Sequence, residues 1–275
     1  MRPALHRYPR TKHLEGSAVQ SGDEDMDVVS FGDLKDKQVV VTEKVDGANA
    51  AVSFTTNGRL LLQSRSRFLD EGLVEAGRGY VSPYVGFREW AQEQEDTLWP
   101  VLGDRYVMFG EWVLTKQTMF YDALPDSFLE LDVFDTHADH FLSTDKRRTL
   151  LRTLPIATPP VLFDGVVEYI EELRELIAPS HYKTPRWKDA LDAAIAAAAG
   201  AAVDLECERY VRETDPSGDM EGVVIKVEAG GVVLERAKIV RATFSSPFTN
   251  TSSQWLAARK VKNGVVGAAR AQHAA

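Results

Sequence analysis

A single cysteine, Cys207, stands in the whole chain, so no internal disulfide can form. A lone thiol reads as a small packed residue rather than a catalytic group. No apolar run approaches the roughly 20 residues of a membrane span, and the opening Met1-Arg2-Pro3-Ala4-Leu5-His6-Arg7 lacks the apolar core of a secretion signal. Those absences predict a reducing, cytoplasmic location and no membrane partner. Clustered Cys and His are missing too, which leaves no zinc site by spacing. Cations are also short, with 32 Lys and Arg against 41 Asp and Glu and a formal net charge of −9. That balance argues against non-specific coating of nucleic acid but leaves room for one local basic groove. At 275 residues the chain can hold one large or two modest domains with a sizeable core.

What is present centres on Val39-Val40-Val41-Thr42-Glu43-Lys44-Val45-Asp46-Gly47. The β-branched run predicts a buried strand, and Asp46-Gly47 predicts a tight turn after it. Lys44 would end that strand. Desolvated beside other cations, such a lysine loses its proton near neutral pH and becomes a nucleophile; on a solvated hairpin it stays an ordinary ammonium. The stretch alone is compatible with both.

Residues 2–13 gather Arg2, His6, Arg7, Arg10, Lys12 and His13 around Tyr8-Pro9, a cluster that either touches phosphates and bases or is simply solvated. Gly16 to Asp27 is polar and acidic, hence a loop, and Phe31 to Lys37 predicts a helical turn. Two apolar runs flank Asn57-Gly58, a hairpin signal that would put Arg65 either near Lys44 or on an exposed edge. Tyr84 to Leu98 has the spacing of one helix. Tyr106 to Trp112 is a strand in which Gly110 marks a close approach by a ligand or by backbone. Period two in Phe128 to Phe134 puts Leu129, Leu131 and Val133 on a core face and Phe128, Glu130, Asp132 and Phe134 on a cleft wall or half-solvated face. The pattern then turns helical, with a stripe from Val166 to Ile177 and a Thr184-Pro185 helix start. Strands return at Met220 to Lys226 and Val232 to Arg241, a hairpin across Gly230-Gly231 with Arg236 and Lys238 on one face. The organisation predicted is a domain over 1–245, with a helical insertion at 145–215, and a loose tail at 246–275.

Taken in order, Lys44-Val45-Asp46-Gly47, Ser64-Arg65, Phe109-Gly110-Glu111, Phe128 to Val133, Glu221-Gly222-Val223-Val224-Ile225-Lys226 and Arg236-Ala237-Lys238 resemble the motif series of the covalent nucleotidyltransferases. DNA ligases, RNA ligases and mRNA capping enzymes make up that superfamily. With Tyr8-Pro9-Arg10-Thr11-Lys12-His13-Leu14 ahead of them, the motifs look most like those of bacterial ATP-dependent RNA ligases, across residues 7 to 245. The resemblance implies an α+β fold, an antiparallel β-rich, ATP-grasp-like nucleotidyltransferase (adenylation) domain with flanking helices. It also implies ATP with Mg²⁺ or Mn²⁺, and RNA with 5′-phosphate and 3′-hydroxyl ends. A role in RNA repair, behind an end-healing kinase or phosphatase, goes with it. The stretch after Lys238 is too short for the oligonucleotide-binding (OB) barrel that DNA ligases and capping enzymes append, which favours an RNA ligase over a DNA-nick ligase or guanylyltransferase. A catalytically silent nucleotide- or RNA-binding module is a further alternative, against which the intact Lys44, Glu111 and Glu221 speak.

By position, the resemblance makes Lys44 the nucleophile that takes AMP from ATP. Glu43 matches the position whose backbone reads the adenine edge, and Asp46 one that orders water on the metal. Arg65 and Glu111 match residues holding the ribose and neighbouring phosphate, Phe128 the aromatic stacked on adenine, and Glu221 the carboxylate engaging the divalent cation. Lys226, Arg236 and Lys238 match the cations around the α-phosphate, which would also depress the Lys44 pKa. Two departures stand out: Arg236 replaces the usual lysine, and Leu131 stands where many relatives carry an aromatic.

Overall fold

A computed structural model describes residues 4–19, 22–69, 83–201, 207–244 and 261–267. The first half runs β1 (Lys12–Leu14), β2 (Val28–Val29), β3 (Gln38–Glu43), β4 (Ala48–Phe54), β5 (Leu60–Ser64), α1 (Phe87–Glu93), α2 (Glu95–Leu102), β6 (Tyr106–Trp112) and β7 (Phe128–Asp135). There follow β8 (His140–Phe141), α3 (Thr144–Leu151), β9 (Val161–Val166), α4 (Ile170–Glu175), α5 (Trp187–Ala201), α6 (Cys207–Arg212), β10 (Gly222–Ala229) and β11 (Val232–Val240). Two sheets result, one ordered β2-β1-β11-β10-β3-β9 and the other β5-β4-β6-β7-β8. Every pairing is antiparallel except those of β1 with β11 and β2. The fold is α+β and rich in antiparallel strands, as expected.

Each sheet buries one face under helices and turns the other toward its partner sheet. Val39 and Val41 pack with Val223, Ile225 and Leu173 of α4, whereas Ala50, Val52, Met108 and Phe128 pack with Phe87 of α1 and Leu98 of α2. Apolar burial on this scale is the main term holding such layers together. The residues left facing inward are the polar ones that matter below.

Four expectations change. Lys44 to Gly47 is no hairpin turn: β3 pairs in the first sheet and β4 in the second, so the segment is the crossover between them. Gly47 is required by close approach rather than by positive φ, because a Cβ there would lie 2.7 Å from the Trp112 carbonyl oxygen and from Val113 Cγ1. The stretch read as one helix from Tyr84 breaks at Gln94, and the restart lets Leu98 and Leu102 reach the same core as Phe87 and Ala91. The stretch read as a helical insertion contains β9, which covers the otherwise open edge of β3; Val166 ends that strand, and α4 is confined to Ile170–Glu175. Nor is all of the tail loose. The Asn263 side chain accepts from Tyr121 N–H at 3.0 Å and donates to the Val113 carbonyl at 2.8 Å, while Lys116 N–H donates to the Val261 carbonyl.

The fifth correction lies in β7. Phe109 pairs with Asp132 and Gly110 with Glu130, so Leu131 is the extra residue of a bulge. Strict alternation fails there. Phe128 and Val133 face the helices, whereas Leu131 and Asp132 both face the other sheet. Phe128 therefore belongs to the core: it is fully buried, 5.8 Å from the Phe87 ring and 4.6 Å from Trp90. Gly110 is where this ring comes close, a Cβ there falling 2.4 Å from Phe128 Cζ. Arg2 of the basic N-terminal cluster lies outside the described residues.

Candidate active site

A cavity of about 170 Å³ lies between the sheets. The first sheet offers Thr42, Glu43, Val224, Lys226 and Lys238; the second offers Asn49, Glu111 and Leu131, with Arg65 at the end of β5. Lys44 and Val45 of the crossover lie between them, Arg147 of α3 closes one side, and Tyr8, Arg10, Thr11, Asp23 and Met26 cover the cavity from the N-terminal segment. This segment is a strap: Tyr8 N–H donates to the Arg65 carbonyl on the second sheet, and β1 then joins β11 on the first.

Lys44 Nζ donates to Glu221 Oε2 at 2.7 Å. Strand pairing brings them together, since Lys44 N–H donates to the Gly222 carbonyl, directly after Glu221. The surrounding charge is not the cationic one expected. Burial pulls the Lys44 ammonium down, yet Glu221, Asp46 and Glu111 together outweigh it, so Lys44 is held above its ordinary value. The amine is thus protonated in this state, contrary to the expected depression.

Glu111 shows the opposite consequence of the same crowding. Burial first, then Asp46 and Glu221, raise its carboxyl to about 7 against the pull of Lys44 and Arg65. The folded state therefore binds this proton more tightly than the unfolded chain does, so stability falls as pH climbs from about 4.5 to about 7 and stays low above that window. Glu111→Gln removes the titration. Its melting temperature should match wild type near about pH 4 and exceed it near about pH 8; a gap that does not open with pH would clear Glu111 of this role.

A family model described as RNA ligase matches residues 37–240. The chain belongs to the RNA ligase family. No curated protein matches it. Among solved structures, it is similar to a lysine mutant of the Naegleria gruberi RNA ligase with ATP and Mn, at 16% identity and a TM-score of 0.46, over 76% of this chain and 50% of that one. The same enzyme with PPi gives 17% identity, a TM-score of 0.46 and coverage of 76% and 50%. An archaeal ATP-dependent RNA ligase gives 15% and 0.47, with coverage of 87% and 49%. The chain thus spans about half the length of these structures.

Of the residues assigned by resemblance to RNA ligases, Lys44, Glu43, Arg65, Glu111, Lys226 and Lys238 line the cavity, and Glu221 touches it through Lys44. Three stand elsewhere. Phe128 is in the core. The carboxylate of Asp46 is turned to the 118–119 backbone, accepting from Met119 N–H at 2.7 Å, with Lys116 nearby. Arg236 sits beside the cavity, its Nε donating to Asp132 Oδ2 at 3.3 Å and its guanidinium lying 4.1 Å from the Phe141 ring centroid. Glu43 is tied through its side chain to Ser180 Oγ and His181 N–H.

Asp132 is the hub that sequence reasoning missed. Fully buried, it accepts from Tyr8 OH at 2.5 Å and Lys226 Nζ at 2.8 Å as well as from Arg236. Burial, ahead of the attraction of Asp132, brings Lys226 down to about 8. Asn49 was missed as well, although a polar residue inside the apolar run of β4 is a readable signal. Its Oδ1 is buried and accepts nothing among the described residues, an acceptor free for a ligand hydroxyl or amine.

Among the described residues no three His, Cys, Asp or Glu side chains converge on a metal position. The oxygen donors near Lys44, with Glu221 foremost, suit a hard cation that keeps most of its water and takes its other ligands from substrate phosphates. The donor set fits Mg²⁺ or Mn²⁺ in that mode.

Proposed function

We propose that this chain is an ATP-dependent RNA ligase that joins RNA 3′-hydroxyl and 5′-phosphate ends through a covalent lysyl-AMP. The observation carrying this reading is Lys44: a lysine on a rigid crossover, facing a cavity edged by Lys226, Lys238 and Arg65. Its Nζ would attack the α-phosphorus of ATP, forming a P–N bond as the bond to pyrophosphate breaks. The proton that Lys44 Nζ donates to Glu221 Oε2 at 2.7 Å must first be lost to solvent, so Glu221 holds the amine inactive until then. Lys226 and Lys238 then face charge on the phosphate oxygens, where positioned cations lower the barrier most. A divalent cation, held by Glu221, would supply further neutralisation of that charge. AMP then passes to an RNA 5′-phosphate, and attack by the 3′-hydroxyl releases it. The 5′-phosphate and 3′-hydroxyl would come from end-healing kinase or phosphatase chemistry.

Leu131 replaces Phe128 as the apolar wall for the base, because the bulge in β7 turns it inward. Leu131→Ala should weaken AMP binding about tenfold with little loss of stability. Phe128→Ala should lower stability by about 3–5 kcal/mol. Calorimetric AMP titration and urea melts separate the two; the reverse pattern would restore Phe128 to the site.

The reading as a whole is tested by incubating the purified chain with α-labelled ATP and Mg²⁺. Label should remain on the denatured protein, and then move to RNA with a 5′-phosphate. An unlabelled wild type sinks it.

A further inference from the structure

Lys238 faces the cavity with its charge already answered. Its Nζ bonds Asp23 Oδ2, while Arg10 Nη2 donates to Asp23 Oδ1 at 2.9 Å. One carboxylate thus bridges a lysine and an arginine through its two oxygens, as two non-bridging oxygens of a phosphate would. His13 Nε2 stands 3.3 Å from the same Oδ2, and Arg10 is steadied further by Asp25 and the Gly22 carbonyl. These partners hold the Asp23 carboxyl at about 2 although burial pushes it up, so it is an anion throughout the working range.

The sheet order gives the cluster a direction. Lys44 directly follows β3, Glu221 precedes β10, Lys238 lies on β11 and Arg10 leads into β1, and these four strands are consecutive neighbours. A polyphosphate whose α-phosphorus meets Lys44 would continue past Lys238 toward Arg10. Arg10 and Asp23 both precede the span matched to RNA ligases, residues 37–240, so that match assigns neither of them.

We propose that Arg10 and Lys238 form a subsite for the β- and γ-phosphates of ATP, the pyrophosphate leaving group, and that Asp23 is an internal stand-in for that anion which the nucleotide displaces. The inference rests on the ATP reading above. It makes Arg10 a binding residue in the first chemical step and makes Asp23 a competitor of the substrate.

Pyrophosphate itself is the probe. In the reverse reaction an oxygen of pyrophosphate attacks the phosphorus of lysyl-AMP. The P–N bond breaks, ATP forms, and the amine takes up a proton. Protein carrying lysyl-AMP is titrated with pyrophosphate and ATP is measured. Arg10→Ala should raise the half-saturating pyrophosphate about tenfold, and Asp23→Asn should lower it severalfold, a gain that misfolding cannot mimic. The ratio of ATP to AMP affinity should fall in Arg10→Ala and rise in Asp23→Asn. A labelled wild type whose two variants need unchanged pyrophosphate overturns the subsite, and Asp23→Asn needing more overturns the stand-in. A wild type that forms no lysyl-AMP brings down the ATP reading and the subsite with it.

Discussion

Lys44→Arg is expected to form no covalent adduct with labelled ATP, at any pH at which the protein stays folded. The substitution keeps the positive charge that Glu221, Asp46 and Glu111 require, and a guanidinium can still reach Glu221 Oε2. What it removes is the ability to give up a proton, since arginine stays charged across the accessible range. Lys44→Ala would also lose the adduct, but it leaves three acids around one missing cation, so lost folding could be mistaken for lost chemistry. Arginine separates the two. The variant should melt near wild type and still bind ATP while the label on denatured protein falls to background. Label persisting on Lys44→Arg, mapped by peptide analysis to Lys226 or Lys238, would move the nucleophile and with it the mechanism.

Asp132→Ala is expected to lower stability by about 3–5 kcal/mol, as much as emptying the core at Phe128, because removing one partner of a buried charge network leaves the others uncompensated. Lys226 and Arg236 would both lose their carboxylate, and Tyr8 its acceptor. Burial by itself would raise the Asp132 carboxyl, but Arg236, Lys226 and Arg147 outweigh it and hold it far below the usual range. A depressed carboxylate contributes stability above its unfolded pKa and loses it as pH falls toward the folded value. The difference between wild type and variant in urea melts should therefore be full at neutral pH and shrink below about pH 4. A variant within about 1 kcal/mol of wild type at neutral pH would mean that the pairs are paid for by their own desolvation.

Local pattern carried the strands well. The valines of β3, the Asn57-Gly58 hairpin and the Gly230-Gly231 hairpin were all readable, because each depends on residues within a few positions of one another. The bulge at Leu131 was not, since a register shift is decided by the partner strand and leaves no mark in the shifted one. Strict alternation misplaced Phe128 for that reason, in agreement with the position given it by resemblance. The same limit explains Lys44, whose neighbours in sequence give no sign that Glu111 and Glu221 converge on it. Asp23 escaped notice, and Asp132 was placed only on a face, because an acid in a loop and an acid in a strand look ordinary until the cations they hold are set beside them.

The strap across the cavity has a consequence for how the molecule is made. Lys12 on β1 pairs with Ala237 on β11, so β1 leaves the ribosome well before its partner and must wait for it. Tyr8 likewise has its acceptor on β7 and Arg10 its cavity neighbour Lys238 on β11. A nascent chain can assemble the second sheet early, yet the cavity stays unroofed until nearly the whole family span has been translated. Among the described strands this pairing is the most distant in sequence, the slowest kind to form, and the cavity is covered only with it.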